Sequence, residues 1–484
     1  MKTIIYKKLL FIFFTLGSWI VANGQQYPDS LLQYLEIAAK NNPIVQQRFT
    51  EYEAALKKIP QVGSLPDPQL DLGVFITPME LVGGTQVADI KLMQMFPWFG
   101  VLKNARDEMS LMAEAKFELF RDSKLQVYYD VQSAWFELFR LRKAISISKK
   151  NIEILGIIEQ LSLIRYKAPT TGSSGSVSQQ AGTPVQNNIN QSSGSGTGMP
   201  GMGAGQYSQG NNSPGQETGV MQPGTMASSR DGSGLTDLYR IKIESGELKN
   251  NIALLKNQEQ TMMARFNSYL NRPPLTEIFT GDVLFPDSLE IDLSVVPDSI
   301  LNNNPMLKML NNETEAYRAR KKMVTGMGYP MVGLGLNYSL TGRSDMSTAS
   351  MNGKDMIMPM VSVTLPIYRR KYTAMREEAD LLRKASSENF QATSNLLTTE
   401  YYSAVQLYED ALRRVKLYEG QFTLASKSLE IMLKSFSASA VSLTDVLRVS
   451  QQTLDYELKQ VEAITDLNTA IAWLTRLMAN SKNQ

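Results

Sequence analysis

From Pro68 to Pro78 apolar and polar positions alternate: Leu70, Leu72, Val74 and Ile76 point one way, and Gln69, Asp71, Gly73 and Thr77 the other. A cleaner alternation sets Val332, Leu334, Leu336, Tyr338 and Leu340 against Gly333, Gly335, Asn337 and Ser339. A period of two belongs to strands with one greasy and one polar face. Each is followed by a polar loop and a second strand ending before or at a proline, about 87–96 and 357–365, which predicts β-hairpins at 67–97 and 330–366. A proline-free stretch with helical spacing follows each hairpin, as in Val127, Val131, Trp135, Leu138, Leu141 and Ile145. These stretches predict helices over 99–166 and 371–436, with returning helices over 235–270 and 443–478. At 1.5 Å per residue the first of each pair is a rod of roughly 100 Å, suited to coiled-coil packing. A shorter helix precedes each hairpin, over 30–59 and 299–323.

The same landmarks recur in the same order. Asn41-Asn42-Pro43 precedes Pro68 by as many residues as Asn303-Asn304-Pro305 precedes Pro330. Phe96-Pro97-Trp98 is answered by Leu365-Pro366-Ile367, and Leu235-Thr236-Asp237 by Leu443-Thr444-Asp445. The chain therefore reads as a tandem duplication of a unit too long for a solenoid repeat. The first repeat covers 25–274, a connector 275–298, and the second repeat 299–484. Both strand pairs are as long as tilted bilayer-crossing strands, although a half-buried hairpin in a soluble sheet alternates in the same way. Four strands cannot close a barrel, and an open edge in lipid leaves backbone groups unpaired. Strands that cross a membrane must then be pooled by several chains.

Residues 1–24 have the form of a secretory signal peptide: Lys2, Lys7 and Lys8, an apolar run from Leu9 to Val21, then small residues ahead of Gln25. Removing those three lysines takes the formal charge from +2 to −1, which suggests no nucleic-acid partner. The chain has no cysteine and no histidine, so disulfides, thiolate metal sites and the commonest general base are all missing. No glycine loop precedes a Lys-Ser or Lys-Thr pair to hold a nucleotide phosphate. An enzyme using carboxylates alone, with Asp67 and Asp71 as the pair, has no supporting motif. Between the helices of the first repeat lies a Gly/Ser/Gln/Asn-rich insert, 168–234, where the second repeat has only 437–442. Its composition predicts disorder, as a tether, a gate regulator or a tolerated insertion at a helical tip.

Duplicated halves, one hairpin each, proline-ended strands and rod-like helical hairpins resemble the TolC family of outer-membrane efflux channels, the outer membrane factors of tripartite drug and heavy-metal exporters. The resemblance implies a mainly α, mixed fold: a homotrimer whose pooled strands make a 12-stranded β-barrel in outer-membrane lipid, above a periplasmic α-helical tunnel. It also implies a periplasmic adaptor (a membrane fusion protein) and an inner-membrane pump as partners, with no cofactor and no catalytic residue. The channel is then a passive exit duct of a Gram-negative cell, gated where the helical tips meet. Acidic residues lie at such tips, which points to Asp237 and Asp445, with Thr236, Thr444, Arg240 and Arg448 beside them. Arg448 stands where well-known members carry a further aspartate, suggesting Asp–Arg links at the gate. Each Leu-Thr-Asp also suits a helix N-terminus, where an acid favours the dipole.

On the alternation above, Gln69, Asp71, Asn337, Met358 and Met360 face the lumen of such a barrel. The chain has 25 methionines, enough to raise the question of a soft-metal cargo. Met199, Met202, Met221 and Met226 lie in the insert, and Met346, Met351, Met356, Met358 and Met360 around the second hairpin. Thioethers suit Cu(I), which makes Met358 and Met360 weak metal candidates; Met93, Met95, Met109, Met112, Met262 and Met263 read as packing fillers. A periplasmic coiled-coil scaffold without a pore is the alternative reading of the whole chain.

Overall fold

A computed structural model describes residues 31–81, 83–167, 233–281, 283–286, 296–438 and 440–479. The expected signal peptide, nearly all of the insert and part of the connector (282 and 287–295) lie outside these residues. The element order is α1 (Leu31–Asn41), α2 (Pro43–Gly63), β1 (Gln69–Leu81), β2 (Gly84–Phe96), α3 (Val101–Lys167) and α4 (Ser233–Tyr269), followed by α5 (Val296–Asn303), α6 (Pro305–Met327), β3 (Met331–Gly342), β4 (Met356–Thr364), α7 (Arg369–Ser437) and α8 (Leu443–Met478). The chain separates into two compact units. Residues 156–244 form one, and the rest of the chain forms the other.

The four strands make one antiparallel sheet in the order β1-β2-β3-β4. The first hairpin turns tightly, with Leu81 pairing to Gly84, rather than through a polar loop. Gly84 has φ +124, and a Cβ on it would meet the Gly342 carbonyl oxygen at 2.3 Å, so only glycine fits where the two hairpins abut. The second hairpin has the longer loop. Asn352 holds it by donating to the Ser344 and Ser347 carbonyls, both at 2.8 Å, and accepting from the Ser344 amide at 3.0 Å.

The helices that precede the hairpins are broken where the sequence predicts continuity. Proline disfavours a helical residue before it and cannot donate to the preceding turn, so each Asn-Asn-Pro ends one helix and starts another. Asn42 Oδ1 accepts from the amides of Ile44 and Val45 at 2.9 and 3.4 Å, and its Nδ2 donates to the Tyr269 carbonyl at 2.9 Å. Asn304 Oδ1 likewise accepts from the Met306 amide at 2.9 Å, and its Nδ2 donates to the Leu477 carbonyl at 3.4 Å. One side chain thus caps the N-terminus of a helix and clasps the last turn of the returning helix.

A core forms around each clasp. The first joins Tyr34, Leu35, Ala38 and Val45 to Val127, Val131 and Leu138 of α3 and to Phe266 and Leu270 of α4. The second joins Val296, Ile300 and Leu307 to Leu397, Tyr401 and Ala404 of α7 and to Leu474 and Leu477 of α8. The connector is stitched down by polar contacts at its start: Arg142 donates to the Ile278 carbonyl at 2.6 Å while pairing with Glu259 at 2.7 Å. Trp135 Nε1 donates to the Phe279 carbonyl at 3.2 Å. Among the described residues no helix is long and apolar enough to cross a membrane.

The clasp generates a prediction. Replacing Asn304 with Ala removes a cap worth about 1 kcal/mol and leaves the Leu477 carbonyl without this donor. Native-state hydrogen exchange of the first turn of α6 should accelerate roughly tenfold, the equivalent of about 1.4 kcal/mol. Asn304→Asp, which keeps the accepting oxygen, should fall between. Unchanged exchange in Asn304→Ala would remove the clasp from the stability of this joint.

Candidate functional site

Cross-strand partners share a face of the sheet, so the register assigns each paired strand residue to a face. One face carries the rows Leu70–Leu92–Leu336–Pro359 and Leu72–Ile90–Tyr338–Ile357, with Gln94–Leu334–Val361 and Phe96–Val332–Val363 beyond them. This apolar face is bare: Leu72 is 68% exposed, Val361 72% and Val74 74%. Below it, Trp98 stacks on Tyr329 at 5.2 Å between ring centroids, and Phe99, Ile367 and Tyr368 are exposed nearby in sequence. Leucines left in solvent on a whole sheet face mark a surface made for another apolar medium.

The opposite face carries the row Asp71–Lys91–Asn337–Met358. Beside it run Gly73–Asp89–Ser339–Met356 on one side and Gln69–Met93–Gly335–Met360 on the other. All five strand candidates from the sequence, Gln69, Asp71, Asn337, Met358 and Met360, therefore lie in two adjacent rows of one face. Gln86 Nε2 donates to Ser339 Oγ at 2.7 Å on the same hairpin pair. Met93 and Met95, read as packing fillers, lie on this polar face, where Met93 is buried. The signal for them is the alternation of Asp89, Lys91, Met93 and Met95 against Ala88, Ile90 and Leu92 along β2.

The helical tips hold the other candidates. Between α7 and α8, Ser442 caps α8: its Oγ accepts from the Asp445 amide at 3.3 Å and donates to Asp445 Oδ2 at 2.7 Å. The other carboxylate oxygen, Oδ1, lies 3.1 Å from Arg448 Nη2. Asp445 thus does two things at once, completing the cap and pairing with Arg448 one turn on. That pair is largely exposed, with Arg448 73% accessible, so it contributes little stability by itself. Beneath it Phe436, Leu443, Val446 and Leu447 are buried, and they carry the packing of the turn.

In the smaller unit the same Leu-Thr-Asp does not stand at a helix start: α4 begins at Ser233 and its first turn holds no acid, so Asp237 lies beyond that turn. Burial pushes its carboxyl above the ordinary aspartate range, against the opposing pull of Arg240 and then Arg165. Thr236 and Arg240 beside it are exposed. The two Leu-Thr-Asp sites therefore differ: Asp445 is bonded at both oxygens, and Asp237 is a partly buried acid facing two guanidinium groups. A raised carboxyl pKa means that the folded tip binds its proton more tightly than the unfolded chain does. Its contribution favours folding at low pH and is lost as pH rises through the folded pKa. Amide protection in the first turns of α4, corrected for intrinsic exchange, should rise as pH falls from neutral into the carboxylate range, and Asp237→Asn should abolish that rise. A flat profile in the unmodified chain would sink this assignment.

No family model and no curated protein matches the sequence. Solved structures do match over nearly the whole chain. The outer-membrane channel OprN is 13% identical, with a TM-score of 0.67, over 93% of this chain and 89% of that one. The outer membrane protein VceC from Vibrio cholerae is 12% identical, with a TM-score of 0.64, over 93% and 96%. The Campylobacter jejuni CmeC outer membrane channel is 12% identical, with a TM-score of 0.66, over 93% and 85%. With a mainly helical body, a small antiparallel sheet and this coverage, the chain has the fold of the TolC-like outer-membrane channels.

Proposed function

We propose that the chain is the outer-membrane exit duct of a tripartite efflux system: a homotrimer that conducts passively and is gated at its helical tips. One observation carries this reading, the four-stranded sheet with a bare apolar face, a polar face and two unpaired edges. Lipid accepts the apolar face and water the polar one, but edges that enter lipid lose the water that would pair their backbone groups. Three copies related by rotation pair β1 of one with β4 of the next and close a 12-stranded barrel, in which every edge is satisfied. The aromatic residues at the strand ends, Phe96, Trp98, Tyr329 and Tyr368, suit the girdle of such a barrel at the bilayer surface. On α7, exposed Leu417, Leu424 and Ile431 recur at heptad spacing, a seam that a neighbouring copy would cover.

In this reading the sheet sits in the outer membrane, with α3, α4, α7 and α8 reaching into the periplasm. The polar rows line the pore, and Asp445, paired with Arg448, stands where three copies ring the closed end. Dilation by a periplasmic adaptor would break these pairs, and the energy comes from an inner-membrane pump. The chain itself supplies no chemistry, only a path.

Two measurements test the reading. Leu336→Arg on the apolar face should block assembly into detergent-stable trimers, since a charge there costs about 2–4 kcal/mol at the bilayer midplane. Ser339→Arg on the other face should assemble normally and alter conductance; equal behaviour of the two would reject the face assignment. In planar bilayers the mature chain should give discrete steps, and Asp445→Ala or Arg448→Ala should enlarge them. A chain that remains soluble and monomeric without detergent would overturn the channel and favour the coiled-coil scaffold.

A further inference from the structure

On the polar face, two glycines of β3 open a trough between the methionines of β2 and those of β4. Gly333 pairs with Met95 on one side and Ser362 on the other, and Gly335 pairs with Met93 and Met360. With no side chain on β3 at these positions, the thioethers lie over the strand. A Cβ on Gly333 would stand 2.6 Å from Met95 Sδ and 3.0 Å from Met93 Sδ. Both sulfurs therefore converge above the same residue. Ser362 reaches across from β4, its Oγ 3.1 Å from Met93 Sδ and 3.7 Å from Met95 Sδ. Met93 is buried, Met95 and Met360 half-buried, and Met358 exposed in the next row.

Packing alone does not account for this arrangement. Methionine fills irregular apolar gaps, but these sulfurs share their face with Gln69, Asp71, Lys91, Asp89 and Asn337, while the apolar face carries none of them. Thioether sulfur is a soft, neutral donor, and the soft monovalent cations favour it over harder ions. The trough offers two convergent sulfurs at its floor, and Met360 pairs with Gly335 on its other side. A serine hydroxyl beside them can turn its proton away to release a sulfur lone pair.

We propose that Met93, Met95 and Met360 form a binding site for a soft monovalent cation of the Cu(I) or Ag(I) type. The proposal rests on the reading of this face as the water-lined side of the barrel. Met358, one row further from the helical end of the sheet, gives an exported ion its next contact after the trough. Because thioethers carry no proton, binding should not release protons, unlike capture by thiolate or imidazole.

The test uses the detergent-purified full chain and silver nitrate in chloride-free buffer. Calorimetry should find one Ag(I) per chain, with the same affinity at neutral and mildly acidic pH, and X-ray absorption at the silver edge should show sulfur neighbours. The triple variant Met93→Leu, Met95→Leu, Met360→Leu keeps side-chain volume nearly constant and should bind at least tenfold more weakly. Met95→Leu alone should weaken binding less, and Met262→Leu with Met263→Leu on α4 should not change it. Trimer formation and bilayer conductance are read on the same preparations. Conducting trimers that bind no Ag(I), or a triple variant that binds as tightly as the unmodified chain, would overturn the site while leaving the channel intact.

Discussion

Backbone groups on the edges of a sheet must find partners, and apolar side chains on its face must leave water. This chain satisfies neither demand alone. Its sheet ends at β1 and β4 with nothing beyond them in the strand order, and its outward leucines, valines and isoleucines are bare. The cost of leaving such groups unmet is several kcal/mol for each unpaired backbone group in an apolar medium. Everything else in the proposed assembly follows from that demand: rotational closure, a lipid band outside and a polar wall inside.

Below the sheet the problem is different. Long helices gain stability from tertiary packing more than from their own propensity, and each half must join two long helices to a shorter pair at a defined height. The Asn-Pro joints do this. An asparagine side chain has one accepting oxygen and two donating hydrogens, so a single residue caps one helix with the oxygen and reaches the last carbonyls of another with the nitrogen. Tyr34, Phe266 and Leu138 pack around the first joint, and Leu307, Tyr401 and Leu474 around the second. Local polar geometry sets the position, and buried apolar area holds it.

The tips show how one sequence motif is put to two uses. Leu-Thr-Asp begins α8 beside a serine that completes a reciprocal cap, which leaves the Asp445 carboxylate fully bonded. At α4 the same three residues follow the long insert, and Asp237 is partly desolvated opposite Arg240 and Arg165. The electrostatic characters differ because the neighbours differ. Asp445 belongs to an exposed ion pair, whereas Asp237 is a partly desolvated acid.

Much of this was legible in the residues. Alternation along each strand named two faces and assigned Gln69, Asp71, Asn337, Met358 and Met360 to the polar one, because a period of two leaves only two directions; the strand register set them in adjacent rows. Runs free of proline, with apolar residues at three- and four-residue steps, marked α3 and α7. The breaks at Asn42 and Asn304 were readable in principle from the proline that follows each, but the second task of each asparagine was not, since its partner carbonyl lies far along the chain. The same holds for Met93 and Met95. Their strand alternates plainly, yet only the pairing of β2 with β3 and of β3 with β4 sets their sulfurs over Gly333 and beside Ser362. Local pattern determines which way a side chain points. Tertiary pairing decides what it meets there, because contacts across a sheet depend on register between segments hundreds of residues apart.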